Sequence, residues 1–297
     1  MLTLLILFLV IKRIYSLTDS NNDSIVIEDE ITIMCRKSIY QTYKRTFIDD
    51  LEILSNIHPT QLLYLILHGW HENSNAPYIQ NIANELQIHN EVSVCTIDFR
   101  NLVKDDIITS ENNAVFVGIY LSKFINYLEN FGIQNKHVNI ISHSLGTKAA
   151  SECGKELNGK LGSIYALDPA APGFRPHFAL YTQCCFTAFG NFRPHVGDCH
   201  ANFYMNGGVQ QPMCENSTDF SCSHAASHTY FLYSLNRANL FNGISCKISF
   251  FGLFCLYEQK DVLGIYNERK RGKFHCKTTN TEPYAMNPTI QLDFKGK

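Results

Sequence analysis

Ser144 stands in the run His137-Val-Asn-Ile-Ile-Ser-His-Ser-Leu-Gly-Thr-Lys-Ala-Ala150, between a short apolar stretch and one of helical character. A serine at such a strand-to-helix turn is offered as a nucleophile, and the turn is tight enough to require small residues two before and two after it; here they are Ser142 and Gly146. The hydroxyl is a weak nucleophile near neutral pH, so acyl transfer needs a base to take its proton and an acid to fix the base's tautomer. Asp168 closes the run Tyr165-Ala-Leu-Asp, and Pro169 halts the strand behind it. The same spacing also suits a loop aspartate capping a turn. For the base, His224 is preferred to His228, because His224 leaves the Cys214 to Cys222 segment before Ala225 to Leu235 reads as a packed helix. A tetrahedral intermediate needs two backbone donors. The amide of Leu145 is one candidate and that of Trp70, in the loop after Leu62 to Leu67, is the other. His68 reads as a packed structural histidine.

These groups need a scaffold that brings them to one edge. Leu62 to Leu67, Val92 to Phe99, His137 to Ile141 and Gly162 to Leu167 are short, apolar or β-branched runs bounded by turn residues, as buried strands are. Between them, Pro77 to Leu86, Asn112 to Phe131 and Leu145 to Glu156 have helical character, and Val117, Leu121, Phe124, Ile125 and Leu128 share one face. This alternation predicts an α/β fold with a mainly parallel sheet covered by helices on both faces. Chemistry in such sheets collects at the carboxyl ends of the strands.

The 297 residues are 45% hydrophobic, enough for a full core. Lys+Arg 25 against Asp+Glu 27 leaves a formal charge of -2, which gives no general pull toward nucleic acid. Leu2 to Ile11 is an apolar run too short to span a bilayer, and with Ser16 it reads as a signal peptide over residues 1–16. Residues 17–30 read as a flexible leader and residues 31–297 as a single domain without an internal linker or repeat. Eleven cysteines behind a signal favour disulfides, and their odd number leaves at least one unpaired within the chain. Cys35 with Cys95, Cys214 with Cys222 and Cys246 with Cys255 are candidate pairs. Sequons at Asn22 and Asn216 fit a secreted, extracellular protein.

Assembled, the stretches LILHGW at 65 to 70, IDFR at 97 to 100, SHSLG at 142 to 146, LDPAAPGF at 167 to 174, HANFYMNGGVQQPMC at 200 to 214 and CSHAASHTYF at 222 to 231 resemble the pancreatic lipase family of secreted α/β-hydrolases, especially its insect phospholipase A1-like members. The resemblance implies an α/β-hydrolase fold, a triad of Ser144, Asp168 and His224, oxyanion amides from Trp70 and Leu145, and no cofactor or calcium. It implies a phospholipid or neutral-lipid substrate met at a lipid–water interface, with only peripheral membrane contact. It also makes the Cys214 to Cys222 segment the lid. With seven residues between its cysteines and Phe220 the one strongly apolar member, that lid cannot shield a large hydrophobic cleft, which favours a phospholipase A1-like esterase. No C-terminal β-sandwich, and so no colipase, is expected.

Departures from the family pattern are Ser142 for glycine, Thr147-Lys148 for Ala-His, and Asn202 for aspartate. Residues 174–199 are also shorter than usual and lack the family's recognisable V-x-x-I-H-T strand, carrying Cys184-Cys185 and aromatics instead. Two other readings carry less. Cys222, His224 and His228 could share a helical face as metal ligands, but no further ligand at recognised spacing and no H-E-x-x-H accompany them. A lipid carrier that keeps the fold without turnover would not need all three of Ser144, Asp168 and His224. The basic run from Glu268 to Lys273 reads as a solvated turn, with contact to anionic head groups as the weaker alternative.

Overall fold

The computed structural model describes residues 16–18, 24–170, 173–188, 198–217, 219–248 and 255–286. The expected signal peptide, apart from Ser16, and the sequon at Asn22 lie outside them. Thirteen strands are present among the described residues: β1 (Ser16–Thr18), β2 (Ser24–Val26), β3 (Thr32–Arg36), β4 (Lys44–Thr46), β5 (Leu62–Leu67), β6 (Val92–Asp98), β7 (Val138–His143), β8 (Ser163–Leu167), β9 (Tyr181–Phe186), β10 (Ala201–Met205), β11 (Asn242–Ile248), β12 (Cys255–Val262) and β13 (Gly272–Cys276). All but β1 and β2 form one sheet in the order β12-β11-β13-β10-β9-β8-β7-β5-β6-β3-β4. From β13 to β6 every neighbour runs parallel, and the two strands at each end are antiparallel. This is the mainly parallel α/β sheet that the alternating pattern predicted and the α/β-hydrolase architecture that the resemblance implied.

Among the described residues four α-helices cover the sheet: α1 (Pro77–His89), α2 (Ile107–Leu128), α3 (Gly146–Glu156) and α4 (Phe220–Ser234). Strand β5 shows why both faces are covered. Successive side chains of a strand point to opposite faces; Leu63, Leu65 and Leu67 join the core with Val117, Leu121 and Phe124 of α2 and Ala149 of α3, whereas Tyr64 and Ile66 join Ile79, Ile82 and Leu86 of α1 with Ala226, Tyr230 and Phe231 of α4. A run of six apolar residues is stable only where neither face meets water.

The differences from the predicted elements have local causes. Helix α2 begins at Ile107, not Asn112, because the Asp106 carboxylate accepts from the amides of Ile108 and Thr109 and so caps the exposed first turn. Residues 17–30, expected to be a flexible leader, include the antiparallel pair β1–β2 and a 3-10 turn at Ile27–Glu30. Glu28 of that turn pairs with Lys123 of α2 at 3.1 Å, and Glu30 accepts from Asn101 at 2.7 Å. The stretch at 174–199 does hold a strand: β9 lies between β8 and β10, parallel to both. Its sequence, YTQCCF, hid it, because the polar side chains of Thr182 and Gln183 are buried and hydrogen-bonded, Thr182 Oγ1 accepting the His200 amide and Gln183 Oε1 the Gly264 amide.

Cys35–Cys95, Cys184–Cys199 and Cys214–Cys222 are bridged. The side chains of Cys246 and Cys255 lie outside the described residues. Cys153, Cys185 and Cys276 are free and buried, and burial raises each thiol's pKa, so none has the character of a reactive thiolate.

Candidate active site

The carboxyl ends of β5, β7 and β8 face the start of α4, and the chemistry gathers there. Ser144 sits between β7 and α3 with φ at 52°, a left-handed conformation that non-glycine residues rarely adopt. The turn is held by the Ser144 amide donating to Leu167 O at 3.0 Å, and by Thr147 and Lys148 amides donating back to Ser144 O and Leu145 O. Strain of this kind persists only where the surroundings impose it. Ser142, which departs from glycine, is fully buried under the turn; its Oγ lies 3.4 Å from Thr147 Oγ1 and 3.5 Å from Tyr165 O. Two departures from the family pattern therefore meet each other, which explains how the turn tolerates both.

Asp168 follows β8, also at positive φ, and is 3% exposed. Its Oδ1 accepts the amides of Thr187 and Ala188 at 2.8 and 3.1 Å, and its Oδ2 accepts His224 Nδ1 at 2.6 Å. An anion this deep requires such partners, and two come from the end of β9, the strand that the sequence pattern concealed. The bond to Asp168 puts the His224 proton on Nδ1 and leaves Nε2 as the basic nitrogen. Burial lowers the pKa of His224, against the opposing pull of Asp168.

The helix carrying His224 starts at Phe220, capped by the Asp219 carboxylate on the Ser221 amide, so His224 lies within α4 and not at a loop exit before Ala225 as expected. Cys222 is also helical, and its bridge to Cys214 ties α4 to the preceding 3-10 turn at Pro212–Cys214. His228, one turn further on, stacks on Tyr78 at 4.0 Å, and its Nδ1 is buried with no hydrogen-bond partner. Asp168 thus meets His224 and not His228.

The loop after β5 completes the site. His68 is fully buried and stacked 3.9 Å from the Phe99 ring; its Nε2 accepts the Phe99 amide at 3.1 Å, which leaves Nδ1 to donate to Gly69 O at 2.9 Å. Burial lowers its pKa, so it works as a neutral, fixed donor. His68 is structural, as predicted, and the peptide it fixes is the one that carries the Trp70 N–H. A Cβ on Gly69 would lie 3.0 Å from Ser144 Cβ, so this loop runs directly beside the serine. Neither the Trp70 nor the Leu145 amide donates to another described residue. The Trp70 indole, 40% exposed, donates to Asp105 O at 2.8 Å and ties the loop to the start of α2.

Sequence reasoning missed Glu72, Tyr78 and His143. Glu72 Oε2 accepts the Gly69 amide at 2.6 Å and the Tyr78 hydroxyl at 2.5 Å, and lies 3.4 Å from His143 Nδ1. The His143 ring stands 4.7 Å from that of His224. Nothing in the spacing of Glu72 signalled this, although His143 belongs to the SHSLG stretch around the serine. Among the described residues, no group of three or more His, Cys, Asp or Glu is arranged to hold a metal ion.

The geometry places Ser144 at a strand-to-helix turn of an α/β-hydrolase sheet, with Asp168, bonded to His224, following the neighbouring strand β8. Residues 22–181 match the family model described as Lipase, and the chain belongs to that family. The match includes Ser144 and Asp168 and ends before His224. Among curated proteins, pancreatic triacylglycerol lipase of Homo sapiens is 27% identical over 224 residues, covering 65% of this chain and 48% of that protein. The same enzyme of Myocastor coypus is 26% identical over 266 residues, covering 79% and 54%. Pancreatic lipase-related protein 2 of Cavia porcellus is 28% identical over 225 residues, covering 70% and 51%. The chain therefore spans about half the length of these relatives. Among solved structures, Est1E from Butyrivibrio proteoclasticus with ferulic acid overlaps partially, with TM-score 0.30 and 14% identity over 52% of each chain.

Proposed function

We propose that this protein is a secreted serine hydrolase of lipid carboxylic esters, with Ser144 as nucleophile, His224 as base and Asp168 as the acid that orients it. The observation that carries the reading is the 2.6 Å bond from His224 Nδ1 to the buried Asp168, with the positive-φ serine's amide bonded to Leu167, the residue before that aspartate. In the first step, His224 Nε2 takes the Ser144 proton as Oγ attacks the ester carbonyl. The Trp70 and Leu145 amides stabilise the resulting oxyanion. The protonated histidine then gives its proton to the leaving alcohol, and water repeats the sequence on the acyl-enzyme to release the fatty acid. Three disulfides support an oxidising compartment. No helix among the described residues is long and apolar enough to cross a membrane.

The substrate we favour is the sn-1 ester of a phospholipid. Support comes from the short Cys214 to Cys222 segment, whose last residues are already helix, leaving little chain to fold over an acyl-binding cleft. Triacylglycerol hydrolysis is the second reading, supported by the names of the relatives.

Two measurements test the proposal. A fluorophosphonate should add covalently to Ser144, and Ser144→Ala should lower turnover by at least about 1,000-fold while leaving the fold intact. Residual hydrolysis within tenfold of the parent would remove the serine mechanism. Fatty-acid release from matched phosphatidylcholine and triolein emulsions then separates the substrate classes; preference for triolein would replace the phospholipase reading with the second one.

A further inference from the structure

We propose that Glu72 is a positioning residue of this site, clamping the oxyanion loop against the nucleophile and placing a fixed negative charge in support of His224. The inference rests on the Ser144, Asp168 and His224 reading and extends it to a carboxylate outside that triad. Glu72 follows the oxyanion loop by two residues, yet its one oxygen, Oε2, gathers groups from three separate elements. The Gly69 amide of the loop after β5 donates at 2.6 Å and the Tyr78 hydroxyl of α1 at 2.5 Å, and His143 Nδ1 at the end of β7 lies 3.4 Å away.

These contacts converge where the reaction is proposed. The Cβ missing from Gly69 would lie 2.9 Å from Glu72 Oε2, 3.0 Å from Ser144 Cβ and 3.3 Å from His143 Nδ1. Carboxylate, nucleophile and oxyanion loop thus surround a single point. Gly69 is held on both sides: His68 Nδ1 donates to its carbonyl, in the Gly69–Trp70 peptide, and its own N–H, in the preceding peptide, donates to Glu72. With its carbonyl engaged, a trans peptide directs the Trp70 N–H to the opposite side. A donor fixed before the reaction does not have to be reoriented as charge develops.

The electrostatic part follows from the same arrangement. Partial burial would raise the Glu72 pKa, but the His143, Tyr78 and Gly69 contacts outweigh it and keep the carboxyl well below the usual range, so it is ionised wherever the enzyme works. The groups that bear on His224 are Asp168 after β8, His143 at the end of β7 and Glu72 after β5, with His228 and Tyr78 adjoining them. Asp168 and Glu72 favour the imidazolium that forms during acyl transfer, whereas His143 opposes it.

The test uses the full chain with a soluble short-chain p-nitrophenyl ester, comparing the parent, Glu72→Gln, Glu72→Ala, Tyr78→Phe and Ser144→Ala. Glu72→Gln keeps an acceptor for the Gly69 amide and loses only the charge, so kcat should fall about tenfold with KM within twofold. The acid limb of its kcat/KM profile should move to lower pH, since removing an anion lowers the His224 pKa. Glu72→Ala also releases the loop and should lose about 100-fold in kcat. Tyr78→Phe keeps the ring on His228 and should leave the pH profile in place. Parental kcat and an unmoved acid limb in Glu72→Gln would overturn the proposal, as would a loss of kcat in Glu72→Gln with no shift of that limb, which a merely structural contact would give. Because glutamine is isosteric, the Glu72→Gln comparison decides the matter even where Glu72→Ala fails to fold. Should the Ser144→Ala variant retain turnover, the triad reading itself has failed; should it be inactive while the Glu72 variants behave as the parent, the positioning role alone is lost.

Discussion

A Cβ placed on Gly146 would stand 2.4 Å from the carbonyl oxygen of His68. The first residue of α3 and the residue that opens the loop after β5 therefore approach as only a glycine permits. This links the two halves of the site, because the serine turn and the Gly69–Trp70 peptide are positioned against each other by backbone contact. Gly146→Ala must push them apart. It should cost about 1–3 kcal/mol in stability and a larger share of activity, since a displacement of about 1 Å at reacting groups can cost 100-fold. Urea unfolding beside kcat on a soluble ester checks both; parental values for each would show that the contact is dispensable.

Asp168→Asn keeps the size of the side chain and an oxygen for the Thr187 and Ala188 amides, but it presents an NH2 or a neutral oxygen to His224. The imidazole then loses its fixed tautomer and the support for its charged form. A fall in kcat of about 10,000-fold is expected, by analogy with the same change in serine proteases. Thermal melting should move little, which separates this effect from misfolding.

Acid should weaken stability as well as activity, and at different points. Burial lowers the pKa of His224 from its ordinary 6.5, so the neutral, basic form persists in the folded enzyme below that pH. The acid limb of kcat/KM should therefore lie below pH 6.5. His68 and His228 are lowered by burial as well. Below about pH 6.5, the unfolded chain takes up protons on these histidines that the folded chain refuses, so stability falls as pH falls through that window. Denaturant midpoints from pH 7.5 to 5 would read it; a midpoint that rises on acidification would contradict the burial.

Asn202, where the resembling family has aspartate, donates Nδ2 to Asp198 Oδ1 at 2.6 Å and to Cys199 O at 3.0 Å, while its Oδ1 accepts the Cys199 amide. It thereby pins the residue that closes the Cys184–Cys199 bridge. Asn202→Asp would set a carboxylate against Asp198 and remove both donors. The expected loss is about 1–3 kcal/mol at pH 7, partly recovered at low pH as the carboxylates protonate. A melting series against pH would show it.

Single elements show how far residue order reaches into this fold. Strand β5 was legible to the residue because LLYLIL, flanked by turn residues, has no other stable place than a sheet covered on both sides. The turn around Ser144 was legible because a tight turn imposes small neighbours, and the mainly parallel α/β sheet followed from alternating periods. Strand β9 was not, since Thr182 and Gln183 break its apolar pattern and take partners that include His200 and Gly264, which residue order does not bring to mind. The bond between Asp168 and His224 spans 56 positions of chain, and the approach of His143 to Glu72 spans 71. Local residue types determined which elements form and which turn presents Ser144. Which of two histidines meets the aspartate, and which carboxylate holds the Gly69 amide, was decided only when packing brought distant segments together, because a hydrogen bond depends on ångström distances that sequence spacing does not encode.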